Sequence, residues 1–192
     1  MMLWTTSGSC LIISDLSRHE MAKAYQPALS GKAQWMFPST CWVDNMISDE
    51  RKHEYRRIKH SVFTWSQDQP DIVGIALVGP WARKSADMDS HLDLLVLTCN
   101  KDHYLTTDSW VGQALPSPGE IVGTRVWGSL AERQVRLPSG LIVEFGFVGP
   151  SWASTDPVDP FTARVVDNGC VPFIDPESVI ERLVEVVSIG IW

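Results

Sequence analysis

Two short stretches of the chain are apolar at nearly every position, which is typical of strands buried on both faces of a sheet. One covers residues 71–78 and the other covers residues 91–97. A third stretch, residues 141–148, has the same character but contains one charged residue, Glu144. Three shorter candidate strands are residues 121–127, 132–137 and 171–174. The pattern predicts a sheet whose central strands are covered on both sides.

Other segments carry apolar residues at helical spacing. Residues 48–66 place four of them three or four positions apart, on one face of a helix, namely Tyr55, Ile58, Val62 and Trp65. Much of the remaining surface of this helix is basic, with Arg51, Lys52, Arg56, Arg57 and Lys59. Shorter helices are predicted over 106–115 and from Pro176 to about Ser188, and Pro80 suits the first position of a one-turn helix.

The order of these elements defines the expected fold class. The turn 137–141 contains Pro138 and Gly140, so it predicts a hairpin between 132–137 and 141–148. Helices alternate with strands of mixed direction along the chain. We therefore expect an α+β (α/β) fold with a mixed central sheet flanked by helices.

The first 47 residues differ from the rest. They mix Ser, Thr, Gly, Pro and Trp without a sustained period of either 2 or 3.6 residues. We interpret 1–47 as an N-terminal extension, either upstream of the natural start near Met46 or a weakly ordered arm, and 48–192 as the folded domain.

Charge and cysteine content limit the expected binding partners and cellular compartment. The net charge is −7 and the pI is about 5.1, so the overall field repels phosphate and argues against general binding to nucleic acid or an anionic membrane. No apolar run approaches the ~20 residues of a membrane-spanning helix. The four cysteines form no C-x-x-C pair, which favours free thiols in a reducing compartment. We expect a cytoplasmic protein.

The residues that carry chemistry lie between the two apolar strands. The segment Gly79-Pro-Trp-Ala-Arg-Lys-Ser-Ala-Asp-Met-Asp-Ser-His-Leu-Asp93 resembles the signature of the DNA polymerase beta-like nucleotidyltransferases. That signature has a Gly-Ser turn after one strand, a Ser before the next strand, and an acid-hydrophobic-acid pair that opens it. The matching positions are Gly79, Ala82, Arg83, Ser90, Leu92 and Asp93, with Glu144 as the third acid. The segment 149–153 resembles the tail of small bacterial members.

The resemblance implies a metal and nucleotide site. Residues i and i+2 of a strand point to the same side, so His91 and Asp93 would face one spot, with Glu144 supplied by another strand. His91, Asp93 and Glu144 are therefore the predicted catalytic residues and metal ligands, for Mg²⁺ or Mn²⁺ with an NTP substrate. The predicted nucleotide-binding residues are Gly79, Pro80, Arg83, Lys84 and Ser90.

Two positions depart from the family pattern. His91 replaces the first acid, and an imidazole suits Mn²⁺ or Zn²⁺ better than Mg²⁺. Pro80 replaces a Ser and removes an N–H that would hold phosphate. Lys84, in place of a Gly, would partly offset that loss. Asp89 would supply the missing carboxylate if the second strand extended backwards; otherwise it is a solvated loop acid.

We therefore expect an enzyme that transfers a nucleoside monophosphate from an NTP to a hydroxyl of a small molecule or a protein. The main alternative is a catalytically impaired relative that binds nucleotide or a protein partner. A third interpretation is an antitoxin-like subunit that docks a helical protein partner through residues 48–66.

Overall fold

The computed structural model describes residues 47–190. The extension predicted at the start of the chain lies, apart from Ile47, outside the described residues. Ile47 itself is 8% exposed and belongs to the hydrophobic core.

The elements follow one another in a mixed order. Helix α1 (Asp49–Gln67) precedes β1 (Ile72–Val78), the one-turn helix α2 (Gly79–Ala82) and β2 (Leu92–Thr98). Then come α3 (Lys101–Thr106), α4 (Val111–Ala114), β3 (Glu120–Trp127), β4 (Leu130–Arg136) and β5 (Ile142–Val148). A 3₁₀ turn (Pro150–Ala153), α5 (Pro160–Asp167), β6 (Cys170–Ile174) and α6 (Val179–Ser188) complete the described part.

These strands form one six-stranded sheet in the order β3-β4-β5-β2-β1-β6. Strands β2 and β5 run parallel, whereas the other neighbouring pairs in the described sheet are antiparallel. The mixed central sheet with flanking helices confirms the predicted fold class. The order matters for the site because it places β2 beside β5, although the 43 residues 99–141 lie between these two strands in the sequence.

Helix α1 forms where its pattern predicts and packs through the expected face. The Ser48 side chain accepts a hydrogen bond from the N–H of Arg51 at 3.2 Å, which satisfies one of the free donors of the first turn. Ile58, Val62 and Trp65 are buried in the core. The apolar side of α1 is thus buried against the rest of this domain.

The core has one part on each face of the sheet. On the α1 side it includes Tyr104, Trp110, Phe145 and Phe147, all at most 2% exposed. On the other side, residues of α5 and α6 pack against alternate positions of the same strands. Alternation along β2 and β5 therefore divides their side chains between two environments.

The prediction of a single helix over 106–115 is wrong. Helix α3 ends at Thr106, and α4 begins only at Val111. The Thr107 hydroxyl donates a hydrogen bond to the carbonyl of His103, and the indole N–H of Trp110 donates one to the carbonyl of Thr107. Such local side-chain bonds compete with helix propagation. Helix α5, which sequence patterns did not predict, begins after Asp159, whose carboxylate caps it.

Candidate active site at the ends of strands β2 and β5

The two predicted acids meet at the sheet. Asp93 is the second residue of β2, and it pairs directly with Glu144 of the parallel neighbour β5. Both side chains lie on the face that carries α5, because residues paired across two strands share a face. Nothing in their sequence separation requires this contact. It follows from the parallel pairing of β2 with β5.

The turn after β1 brings the backbone against Asp93. Gly79 has a φ of +68°, in the left-handed region that a glycine adopts without strain. A Cβ built on Gly79 would overlap Oδ2 of Asp93. The glycine therefore serves two purposes: it turns the chain into α2, and it leaves room for the carboxylate.

His91 lies just before β2 and contacts Glu144 rather than Asp93. Its Nδ1 is 2.6 Å from Oε1 of Glu144. An ionised carboxylate can only accept, so Nδ1 carries the hydrogen of this bond. Gln134 of β4 donates from Nε2 to the same oxygen at 2.7 Å. Two donors thus converge on one oxygen of Glu144.

Glu132 is a site residue that the sequence analysis missed. In the hairpin register it stands opposite Gly146, on the same side as Glu144. Its Oε1 is buried, and no donor among the described residues reaches that oxygen. The signal was present in the predicted turn 137–141, because extending its pairing outward sets Gln134 opposite Glu144 and Glu132 opposite Gly146.

The pKa values of two of these carboxyl groups, Asp93 and Glu132, are raised at the site. Burial is the largest cause that raises the pKa of Asp93, to about 7, and the negative charge of Glu144 is the next. The charge of His91 opposes this shift, while that of Glu132 adds to it. Burial and then Glu144 also raise the pKa of Glu132, against the opposing charge of Arg125. The site is therefore short of positive charge.

A cavity of about 250 Å³ opens beside these acids. Asp93, Glu132 and Glu144 line its polar part. Its apolar lining includes Leu95, Leu130 and Gly146 from the sheet, Phe161 and Val165 from α5, and Trp127 from the tip of the β3–β4 hairpin. The arrangement offers negative charge on one side and an apolar surface on the other.

The predicted phosphate-binding residues lie near α2, but several have partners within the protein. Pro80 occupies the first turn of α2, as predicted. Arg83 is exposed and donates from Nη1 to the carbonyl of Asn168, so it links α2 to the turn before β6. Lys84 is exposed, in the left-handed region with a φ of 60°. Ser90 donates to Oδ1 of Asp87 at 2.7 Å.

Asp89 does not lie on the strand. Strand β2 begins at Leu92, and Asp89 is an exposed residue of the preceding turn, where its N–H donates to Oδ1 of Asp87. The structure therefore corresponds to the alternative in which Asp89 is a loop acid.

The side chains of the site suit a divalent cation that takes few ligands from the protein. Within residues 47–190 no group of three or more His, Cys, Asp or Glu side chains is arranged to hold a metal ion, so three direct ligands in His91, Asp93 and Glu144 remain a prediction. Mg²⁺ at nucleotide sites usually takes only one or two carboxylates and completes its shell with phosphate oxygens and water. Asp93 and Glu144, with the buried unpaired oxygen of Glu132 beside them, fit that smaller requirement.

No family model matches the sequence, and no curated protein matches it. Among solved structures, a cytoplasmic RNA terminal U-transferase gives a TM-score of 0.40 at 15% identity, over 55% of this chain and 33% of that chain. Cid1 in complex with the UTP analog UMPNPP gives a TM-score of 0.39 at 15% identity, with the same coverage. This chain thus spans about a third of the length of the solved structures it matches.

Those structural matches are too distant to assign a function. The Cid1 poly(U) polymerase structure is likewise matched at a TM-score of 0.39 and 15% identity. The fold class above rests on the strand order and register of this chain itself. The site is likewise described from its own side chains.

No helix of the described residues is long and apolar enough to span a membrane.

Proposed function

We propose that this protein belongs to the DNA polymerase beta-like nucleotidyltransferases, as one of the small bacterial kind, and acts in the cytoplasm. It transfers a nucleoside monophosphate from an NTP to a hydroxyl group of a small molecule or a protein. The observation that carries the proposal is the pairing of Asp93 with Glu144, together with the Gly79 turn packed against Asp93. Gly79, Asp93 and Glu144 belong to three different elements, α2, β2 and β5, and their proximity supports the proposal.

The residues divide the work as follows. Asp93 and Glu144 would hold a divalent cation, which would neutralise phosphate charge and polarise the reacting phosphorus. The acceptor hydroxyl attacks the α-phosphorus, the bond to the bridging oxygen breaks, and pyrophosphate leaves with that electron pair. The hydroxyl proton passes to Glu132, whose raised pKa and unpaired Oε1 suit a general base.

The triphosphate would lie along α2. Lys84 is an exposed cation that follows α2 by two residues, and it would replace charge where Pro80 has removed an N–H. Arg83 would have to exchange its bond to the Asn168 carbonyl for a phosphate, or keep that bond and act only by its charge. The acidic cavity favours an acceptor that is neutral or cationic, since phosphates of a nucleic-acid acceptor would be repelled.

A second candidate function is nucleotide binding without turnover. The observation that favours it is the bond from His91 to Glu144, because a carboxylate at position 91 would instead add an oxygen ligand. The loss of an N–H at Pro80 favours it as well. Docking of a helical partner through α1 stays a prediction; exposed Arg56 and Arg57 would be the contact, since the apolar face of α1 is buried.

Calorimetry and label transfer together test both candidates. ATP, CTP, GTP and UTP would be titrated with Mg²⁺ or Mn²⁺ into the wild type, Asp93→Asn, Glu144→Gln and a control, Glu120→Gln, which changes an exposed acid of β3. We expect binding by the wild type and the control, and a loss of at least about 100-fold in either site variant, if several kcal/mol of metal-ion stabilisation are removed.

Transfer is then followed from the α-phosphate label of the NTP to a panel of hydroxyl-bearing small molecules and to proteins. Label on an acceptor, lost in Asp93→Asn, supports the transferase. Nucleotide binding without any transfer supports the second candidate. Equal binding by the wild type and both site variants would reject a nucleotide site at these acids.

A further inference from the structure

His91 and Gln134 both contact the same oxygen of the Glu144 carboxylate. His91 Nδ1 and Gln134 Nε2 both bond to Oε1, at 2.6 and 2.7 Å. Neither of these two donors reaches Oε2. Two bonds to one oxygen fix the side-chain rotation, and they leave the other oxygen for a ligand. The sequence pattern predicts His91 as a metal ligand and does not indicate a role for Gln134.

Gln134 is built into this position by its neighbours. The residue is 7% exposed and pairs with Glu144 on one side and with Gly123 on the other. A Cβ built on Gly123 would lie 2.6 Å from the Gln134 Oε1. The amide nitrogen must face Glu144, because a carboxylate accepts hydrogen bonds and the amide oxygen cannot donate. Gly123 thus leaves room for the amide oxygen on the opposite side.

We infer that Gln134 is a positioning residue, which with His91 holds Glu144 by Oε1 so that Oε2 is presented to the cation of the site. The inference rests on the proposed function, since it concerns the same cation. It assigns His91 to the support of Glu144 instead of direct ligation. Removal of a group that holds a metal ligand typically weakens metal affinity or activity by 10–100-fold.

The first test measures Mn²⁺ alone, without nucleotide, by electron paramagnetic resonance. Gln134→Met keeps the length of the side chain and removes the donor. Gln113→Met makes the same change at an exposed position of α4 and serves as the control. We expect Mn²⁺ affinity to fall about 10-fold or more in Gln134→Met, and to stay unchanged in Gln113→Met. Equal affinity in wild type and Gln134→Met would overturn the inference, as would a wild type that binds no Mn²⁺.

A second pair of variants separates positioning from general damage. Gly123→Ala displaces the Gln134 amide without removing it, so it should weaken Mn²⁺ binding in the wild-type background. In the Gln134→Ala background the displaced group is gone, and Gly123→Ala should have no further effect on affinity. If the two changes instead weaken binding independently, Gly123 acts through the fold and the inference fails.

The hydrogen bond can also be observed without any ligand. Hydrogen–nitrogen correlation spectra should show the side-chain amide of Gln134 protected from solvent exchange, and Glu144→Ala should remove that protection while the Gln113 amide stays unaffected. Loss of Mn²⁺ affinity in Gln134→Met by a protein that never transfers nucleotide would support this inference and contradict the transferase. Nucleotide transfer at an unchanged rate in Gln134→Met would support the transferase and contradict this inference.

Discussion

The two faces of strands β2 and β5 differ: one carries closely packed apolar side chains, and the other carries acidic ones. Towards α1, their alternate residues form an apolar and aromatic layer that includes Leu94, Phe145 and Phe147, each at most 2% exposed. Towards α5, the intervening positions carry Asp93 and Glu144, which repel each other beside a cavity. One face maximises packing, whereas the other keeps like charges together at a cost in free energy of unfolding. The difference is the one expected if the α5 face binds a ligand, as we propose.

The aromatic rings of the packed face meet in favourable stacked and edge-to-face arrangements. The ring of Phe147 stacks on that of Tyr104 with centroids 4.8 Å apart, and Trp110 meets Phe145 edge to face at 4.9 Å. The Tyr104 hydroxyl, buried with them, donates to Asp71 at 2.9 Å. Such aromatic pairs stabilise beyond the area they bury. This face should therefore respond strongly to truncation.

The largest expected effect is the loss of Phe147. In Phe147→Ala we expect the free energy of unfolding to fall by about 4 kcal/mol, because a fully buried ring is replaced by a cavity between Tyr104 and Trp110. Urea denaturation followed by tryptophan fluorescence measures this. Val171→Ala, at a residue 46% exposed, should change stability by no more than about 0.5 kcal/mol. A cost below about 1 kcal/mol for Phe147→Ala would contradict the contrast between the faces.

The opposite face should respond with the opposite sign. In Asp93→Asn a neutral amide replaces a buried carboxylate that Glu144 repels. Without metal, we expect the variant to be more stable than the wild type at pH 8, by about 2 kcal/mol once solvent screening is allowed for. Thermal melting in a chelating buffer measures the difference. A variant less stable than the wild type at pH 8 would mean that Asp93 is needed by the fold.

The pH dependence sharpens this result. The pKa of Asp93 is raised from 3.8 to about 7 in the folded state, so the folded protein holds a proton that the unfolded chain has released. The stability contributed by this group is therefore greatest below about pH 4 and declines as the pH rises to about 7. The advantage of Asp93→Asn should follow the same window, growing between pH 4 and 7 and then remaining constant. Parallel stability curves for the two proteins would contradict the assigned shift.

Most of the sheet could be predicted because its strands are buried on both faces. The runs at 71–78 and 91–97 were found to within a residue at each end, and the turn 137–141 joins the predicted hairpin. The interruption between α3 and α4 could not be predicted, because it depends on where the indole of Trp110 bonds. Tertiary contacts decide such boundaries.

The site was predictable in part, for a physical reason. The strand period and the motif together indicated Asp93 and Glu144, and the structure pairs them. The partner of His91 was not predictable, since residues i and i+2 share a face only within a strand, and β2 begins after His91. Gln134 and Glu132 lie on a strand with no motif, so only the hairpin register reveals them.

The smallest expected effect concerns His91. A single substitution there should change both the stability of the protein without metal and its affinity for the cation. His91→Asp removes the donor to Oε1 of Glu144 and adds another carboxylate beside Asp93 and Glu144. Without metal, we expect the variant to lose about 1 kcal/mol of stability at pH 8, from a charged hydrogen bond and added repulsion. With Mg²⁺ and ATP the order should reverse, because a hard oxygen ligand has been gained.

Melting and calorimetry of wild type and His91→Asp, with and without Mg²⁺ and ATP, provide the measurement. We expect Mg²⁺·ATP to bind the variant about 10-fold more tightly, equal to about 1.4 kcal/mol, and so to outweigh the loss seen without metal. His91→Gln is the control: it removes the imidazole without adding charge, so it should weaken the apo protein less and gain no affinity for Mg²⁺. Tighter Mg²⁺ binding by the wild type than by His91→Asp would show that the imidazole already completes the site, by holding Glu144 better than an extra carboxylate could serve as a ligand.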